Sequence, residues 1–265
     1  MTYFGFLLRF VVIPIILLWG LHLWKPQKEK AGTSIRNGKA VWIAIGVQIA
    51  LALLYTTPWD NYLVATAVWH YNPGLVTGVI LGYVPLEEYT FFMLETLLVG
   101  LWWQLASRRM KAADNFQPSA RLRLWSAGAL AALWLTSMIT FLSGWEPGTY
   151  LLITLVWALP PIIVQLAFGA DILWHHRKLV GGVILPIGLY LSLADSLAIQ
   201  AGIWAIDPAQ STGLFIGGLP LEEGIFFFVT AMLITFGMTL TLANESRQRF
   251  PLRSQETRPE FIETV

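Results

Sequence analysis

Residues 60–92, DNYLVATAVWHYNPGLVTGVILGYVPLEEYTFF, lie without a gap over residues 195–227, DSLAIQAGIWAIDPAQSTGLFIGGLPLEEGIFF, at a shift of 135, and 12 of the 33 positions are identical. The matched pairs are Asp60/Asp195, Trp69/Trp204, Pro73/Pro208, Thr77/Thr212, Gly78/Gly213 and Gly82/Gly217. Then come Pro85-Leu86-Glu87-Glu88 with Pro220-Leu221-Glu222-Glu223, and Phe91-Phe92 with Phe226-Phe227. A repeat of this kind is read before anything else, because it sets the architecture. Duplication of a packing unit would explain shared apolar positions. Here the identity falls on acids, aromatics and backbone-shaping residues, which points to a shared site.

Outward from the repeat, the chain is apolar. Of 265 residues, 56% are hydrophobic and 12% charged, against about 45–50% and 25% in an average soluble domain. A spanning helix needs about 20 mostly apolar residues, so the length leaves room for six to eight spans and no separate soluble domain. Apolar runs at 3–24, 41–57, 86–106, 124–142, 150–170, 179–199 and 219–242 predict an all-α integral membrane protein of about seven transmembrane helices. The first run has no basic n-region or cleavage site and reads as a retained span. The expected organisation is a first repeat over 1–106, a linker with the fourth span over 107–148, a second repeat over 149–242 and a polar, disordered cytoplasmic tail over 243–265. With zero cysteines, disulfides, thiolate metal sites and a cysteine nucleophile are excluded.

Lys and Arg concentrate in short cytoplasmic loops. Sixteen of the 17 basic residues fall on one set of alternate loops and the tail, leaving Arg9 inside a span. The N-terminus is therefore expected outside a cell membrane crossed many times, with the C-terminus in the cytoplasm. Each repeat holds three spans and a fourth joins them, so the repeats insert in the same direction, related by an axis along the membrane normal. Both Glu pairs should then lie at one depth, at the outward ends of spans three and seven, around one central cavity.

Proline suits the first turn of a helix, and carboxylates there meet the positive end of the helix dipole. A plain helix start with interfacial acids would need no more than that. Yet Glu87, Glu88, Glu222 and Glu223 are flanked by aromatic and aliphatic residues, and ionisable groups at membrane depth are functional candidates by default. On a helix Glu88 shares a face with Phe91, Phe92 and Glu95, and Glu223 with Phe226 and Phe227. Desolvation and mutual repulsion keep one member of such a carboxyl pair protonated, which makes it a general acid. Aromatic faces beside it stabilise a developing carbocation. Acid and aromatic box together suggest protonation of an alkene, with a second carboxylate removing a proton, an isomerisation with no net redox change.

Asp60 and Asp195 are either partners of the Glu pairs or ordinary helix-boundary aspartates. Glu95 has Thr230 as its counterpart and is either an asymmetric site residue or a polar packing contact. His22, His175 and His176 read as interfacial, and His70, matched by Ala205, as marginal to the site. Most Trp and Tyr belong to interface belts and packing, with Trp69 and Trp204 set apart by the repeat. There is no Gly-x-Gly-x-x-Gly after a strand, no strand pattern, no phosphate loop and no Asp-Asp-x-x-Asp run. Neither a cofactor nor a metal is expected, and nothing supports nucleic-acid binding.

These residues carry a resemblance. Over nearly all of 1–242 the chain resembles a fused form of the heterodimeric-type carotenoid (lycopene) cyclases, small membrane proteins whose halves each bear a Pro-x-Glu-Glu segment. The resemblance rests on Trp59-Asp60, on Trp69, Pro73, Thr77 and Gly78, on Pro85-Leu86-Glu87-Glu88 with Phe91-Phe92, and on the second copies. The second copy has Ala194-Asp195 where the first has Trp59-Asp60. The resemblance implies cyclisation of the linear ends of lycopene or an elongated carotenoid without a Rossmann flavin, and partners limited to membrane lipid, the polyene substrate and other carotenoid enzymes. A transporter with three-plus-one-plus-three parallel repeats and a membrane scaffold are the other readings.

Overall fold

The computed structural model describes residues 1–24, 35, 38–110, 112 and 115–249. The described residues form seven long helices: α1 Tyr3–Trp24, α2 Lys39–Ala65, α3 Leu86–Ser107, α4 Ala120–Leu142, α5 Thr149–His175, α6 Arg177–Gln200 and α7 Leu221–Leu242. At 1.5 Å per residue each is at least about 33 Å long, enough for a hydrocarbon core of about 30 Å. Six of them are also apolar enough to cross a membrane; the exception is α3, which carries Glu87, Glu88 and Glu95, all buried among the other helices. Large apolar side chains of α1, α2, α4 and α6 face outward, among them Leu17, Leu54, Leu124 and Leu193, as lipid contact requires. Helix α4 packs on α5, and α3 and α7 lie at the centre.

Proline inside a helix frees the carbonyl four residues earlier, and a carbonyl in lipid must find another donor. Four of the five helix-interior prolines are answered this way. The Tyr190 hydroxyl donates to Phe10 O at 2.9 Å, opposite Pro14, and the Tyr55 hydroxyl donates to Trp157 O at 2.8 Å, opposite Pro161. Trp134 Nε1 donates to Val156 O at 3.1 Å, opposite Pro160, and Trp102 Nε1 to Gly182 O at 3.0 Å, opposite Pro186. A π-helical turn at Leu8–Val12 precedes Pro14. The two tyrosines are copies of each other, 135 residues apart, and each reaches into the other half of the molecule.

Between the helices lie short strands that the sequence does not announce: β1 Trp69–Tyr71, β2 Ile80–Leu81, β3 Val84–Pro85, β4 Trp204–Ile206, β5 Phe215–Ile216 and β6 Leu219–Pro220. Strands β2 and β3 form one hairpin, and β5 and β6 its copy. Gly82 and Gly217 turn these hairpins with φ of 70° and 59°, where a side chain is strained. A Cβ on Gly82 would also stand 2.2 Å from Asn61 Oδ1, the atom that accepts Tyr83 N at 2.8 Å.

Strand β1 pairs antiparallel with β4 in the register Trp69↔Ile206, His70↔Ala205, Tyr71↔Trp204. Under the shift of 135 this is a strand paired with its own copy about an axis between His70 and Ala205. The flanking bonds obey the same axis: Asn72 N to Ile203 O and Asp207 N to Val68 O, both 2.9 Å. Since β1 follows α2 and β4 follows α6, the two helices end on the same side, as parallel insertion demands.

Two expectations need correction. Helix α2 runs through Pro58 to Ala65, beyond the apolar run 41–57, and so carries Asp60 in its interior rather than at its boundary; the Thr57 hydroxyl donates to Leu53 O at 2.6 Å beside the proline. Residues 244–249, expected to be disordered, are helical. A short helix, α8 Asn244–Arg249, is held by Arg249 Nη2 on Asp171 Oδ2 at 2.7 Å. The rest of the tail, 250–265, lies outside the described residues, as do seven of the basic residues counted above, Lys25, Lys28, Lys30, Arg36, Lys111, Arg253 and Arg258.

Candidate active site

Each Pro-Leu-Glu-Glu segment ends a hairpin and starts a helix. Pro85 and Pro220 precede the first helical residue with φ of −69° and −54°. The next amides reach back across the loop, Leu86 N to Val79 O and Leu221 N to Leu214 O, both 2.8 Å. Both glutamates of each motif then fall in the first turn, where the dipole favours negative charge.

The two members of each pair have different jobs. Glu87 Oε1 accepts the backbone amide of Thr77 at 2.6 Å, and Glu222 Oε1 accepts that of Thr212 at 2.7 Å together with the Thr212 hydroxyl at 2.6 Å. These carboxylates tie the loop onto its helix. One residue on, a rotation of about 100° aims Glu88 and Glu223 into the bundle, where they are 4% and 2% exposed. Both line a single narrow cavity, together with Asp195, Trp69, Trp204, Phe91, Phe226 and Phe227.

Asp195 and Asp60 are 1% and 0% exposed and lie within electrostatic range of Glu88; Asp195 lines the cavity and Asp60 does not. Among the described residues, neither oxygen of Asp60 has a hydrogen-bond partner, and neither do Asp195 Oδ2 and Glu223 Oε1. Buried polar atoms are almost always paired, and a cluster of exceptions around one cavity asks for a functional explanation.

The sequence reading missed the tyrosines. The Tyr3 hydroxyl, at the start of α1, donates to Glu88 Oε2, and Tyr150, at the start of α5, stands beside Glu223 and Asp195. Tyr71, on β1, faces Glu88 and Asp60. The aromatic wall is also larger than expected. Trp59 stacks on Phe226 at 5.4 Å and 7°, and on Trp157 at 4.5 Å, while Trp204 meets Tyr3 at 4.9 Å and Phe6 at 5.4 Å.

Phe92 and Glu95 line a second, larger cavity between α2, α3, α5 and α7, and Phe226 belongs to both cavities. There the Thr230 hydroxyl donates to Glu95 Oε1 at 2.8 Å, so that the two mismatched copies, acid and alcohol, meet directly. His70 is exposed on β1, away from either cavity.

The chain matches the family described as lycopene cyclase over residues 1–105 and 147–241, the two segments that carry the cavity. It belongs to the lycopene cyclase family. It is thus an enzyme, of the intramolecular lyase or isomerase type, and a transporter or scaffold is set aside. The enzyme is 41% identical over 196 residues to the "Lycopene beta-cyclase" of Halobacterium salinarum, a match covering 74% of this chain and 81% of that protein. Against the "Bifunctional lycopene cyclase/phytoene synthase" of Podospora anserina it is 34% identical over 209 residues, 75% of this chain and 35% of the other. The protein of the same description from Aspergillus niger is 32% identical over 201 residues, covering 73% and 34%. No solved structure matches the enzyme.

Proposed function

We propose that the enzyme closes the linear ends of lycopene to β rings in the cavity between its two halves, with proton transfer by the second glutamate of each motif. The observation that carries this reading is the convergence of Glu88 and Glu223 on one aromatic cavity, while Glu87 and Glu222, outside its lining, each hold a loop amide through Oε1. The β ring follows the name of the Halobacterium salinarum relative.

The step balances without a redox partner. An acid proton adds to C2 of the end group and leaves C1 a tertiary cation. The C5=C6 double bond attacks, forming the C1–C6 bond and moving the charge to C5. A carboxylate then takes the C6 proton, restoring a C5=C6 double bond inside the ring. One proton enters and one leaves, so the product is an isomer. The faces of Phe226, Phe227, Phe91 and Trp69 surround the passing charge, a stabilisation that grows where water is excluded.

The surroundings of the two glutamates suggest their roles. Glu88 accepts the Tyr3 hydroxyl, which suits a carboxylate and therefore the base. Glu223 keeps Oε1 unpartnered beside Asp195, which suits a protonated acid with an O–H to give. Cyclisation of lycopene in deuterated water by the purified enzyme tests the scheme: one deuterium should remain at C2 of each closed ring. Rings formed without the label would refute proton transfer from the site.

The same reading places the N-terminus outside the cell membrane and the tail in the cytoplasm, supported by the one-sided basic residues. An alkaline phosphatase fusion at the C-terminus should be inactive. An active one would reverse the orientation.

A further inference from the structure

At the other end of α5 from Tyr150, about 37 Å away by helix rise, lies a cluster that the cyclisation does not use. We propose that His175, His176 and Glu245 bind one divalent transition-metal ion of the zinc class, clipping α8 onto the turn between α5 and α6. Their candidate ligand atoms all lie within 4.8 Å of one another. Glu245 Oε1 is 3.6 Å from His175 Nε2, and Glu245 Oε2 is 3.3 Å from His176 Nε2. A tetrahedral ion with bonds of about 2.0–2.1 Å holds its donor atoms about 3.3 Å apart, the spacing of the His176–Glu245 pair, and the third donor lies close enough for a small side-chain rotation to complete the set.

The backbone explains why two consecutive histidines converge. In an unbroken helix neighbouring side chains diverge by about 100°. Here His176 is the single residue between α5 and α6, with φ −93° and ψ 20°, and this break swings its ring to within 5.0 Å of the His175 ring at 87°. His175 is braced on its other side by Phe116, edge-on at 5.3 Å. His176 is buried and Glu245 nearly so, which limits competition from water. The third ligand does not depend on the ion for its place, because Arg249, one turn further along α8, is tied to Asp171 at 2.7 Å. The nearest cation in sequence, Arg177, is engaged with Trp174, donating to its carbonyl at 3.2 Å and lying 5.3 Å over its ring.

Two imidazoles and one carboxylate suit zinc, or another borderline ion, with water as the fourth ligand; magnesium and calcium prefer all-oxygen shells. Glu245 is 69 residues from His176 in the chain, so no local spacing in the sequence marks the cluster. The alternative occupant of the cluster is a proton, giving a plain His–Glu ion pair.

The test uses the full-length enzyme in detergent, freed of any affinity tag, titrated with cobalt chloride and with zinc chloride. A metal site gives saturable one-to-one binding, the intense visible absorption of tetrahedral cobalt, and thermal stabilisation on the order of 5 °C at a hundredfold excess of zinc over its Kd. His176→Gln and Glu245→Gln should each weaken zinc binding at least tenfold and leave lycopene cyclisation unchanged. Only octahedral, pale cobalt absorption in the wild-type enzyme overturns the proposal without recourse to any variant. Undiminished binding in a His175→Gln, His176→Gln, Glu245→Gln triple variant overturns it too.

Discussion

In the first half of the chain a tryptophan, Trp59, precedes the buried aspartate; in the second half the same place holds Ala194. Trp59 lies flat against Phe226 and Trp157, so the wall on the α2 and α5 side is a stack of rings with no counterpart across the axis. One helix on, Glu95 faces Thr230, and the larger cavity opens on that same side. By contrast the hairpins, the loop anchors Glu87 and Glu222, the strand register and the crossed tyrosines Tyr55 and Tyr190 are alike in both halves. Symmetry is kept in the backbone and in the paired motif glutamates and aspartates, and lost in the walls of the two cavities. A polyene end that needs an acid on one side and a base on the other is served by that division.

The largest effect should come from the acids facing the cavity. Glu88→Gln and Glu223→Gln keep shape but remove the acid, and each should cut lycopene cyclisation by roughly 10²–10⁴-fold with the protein still folded in detergent. If Glu223→Gln but not Glu88→Gln abolishes deuterium uptake into recovered substrate and product, the division of acid from base is sharpened. Equal residual activity with normal labelling in both would break it.

Asp195→Asn, at the cavity wall, should cost about ten- to a hundredfold in kcat, the equivalent of roughly 1.5–3 kcal/mol for a hydrogen bond to a charged group. Asp60→Asn, outside the cavity lining, should cost less, and a larger loss at Asp60 would reverse the order of the two halves. Removing a loop anchor, by Glu87→Ala or Glu222→Ala, leaves the Thr77 or Thr212 amide without its acceptor. Each should lower stability by about 1–3 kcal/mol in a thermal or denaturant assay, while activity per folded molecule stays within a few fold. Smallest of all, Tyr55→Phe and Tyr190→Phe each give up one interhelical bond, worth about 0.6 kcal/mol within a membrane. The axis makes the two losses equal; a clear inequality would show that the halves pack differently.

The spans and the matched motifs could be read from the sequence because hydropathy and an ungapped repeat are both local signals. Asp60, Trp69, Glu88 and their copies were found that way. Tyr3 and Tyr150 were not, although both follow a threonine and both lie eleven residues before a Pro-Ile-Ile run, Pro14-Ile15-Ile16 and Pro161-Ile162-Ile163. Their separation is 147 residues rather than 135, because the first connection spans Trp24 to Lys39 and the second only His175 to Arg177, and a search at one fixed shift passes over them. The separate duties of Glu87 and Glu88 could not be read either. Which glutamate meets a loop amide depends on where a ten-residue loop returns, and that is set by the positive φ of Gly82 and its copy rather than by the Glu-Glu pair. The apolar run 41–57 stops short of the end of α2 at Ala65 for a related reason, since hydropathy does not register what a long helix gains by continuing through Pro58 into a packed bundle.

The pairing of β1 with β4 has one further implication, for ancestry. A strand that pairs with its own copy about a twofold axis is what two identical half-length chains would form on meeting, and each would bring one acid to a shared site that neither possesses alone. In such a pair every substitution appears twice. Joining the halves through α4 ends that constraint, so that His70 can face Ala205, Glu95 can face Thr230, and a tryptophan can be kept on one side only.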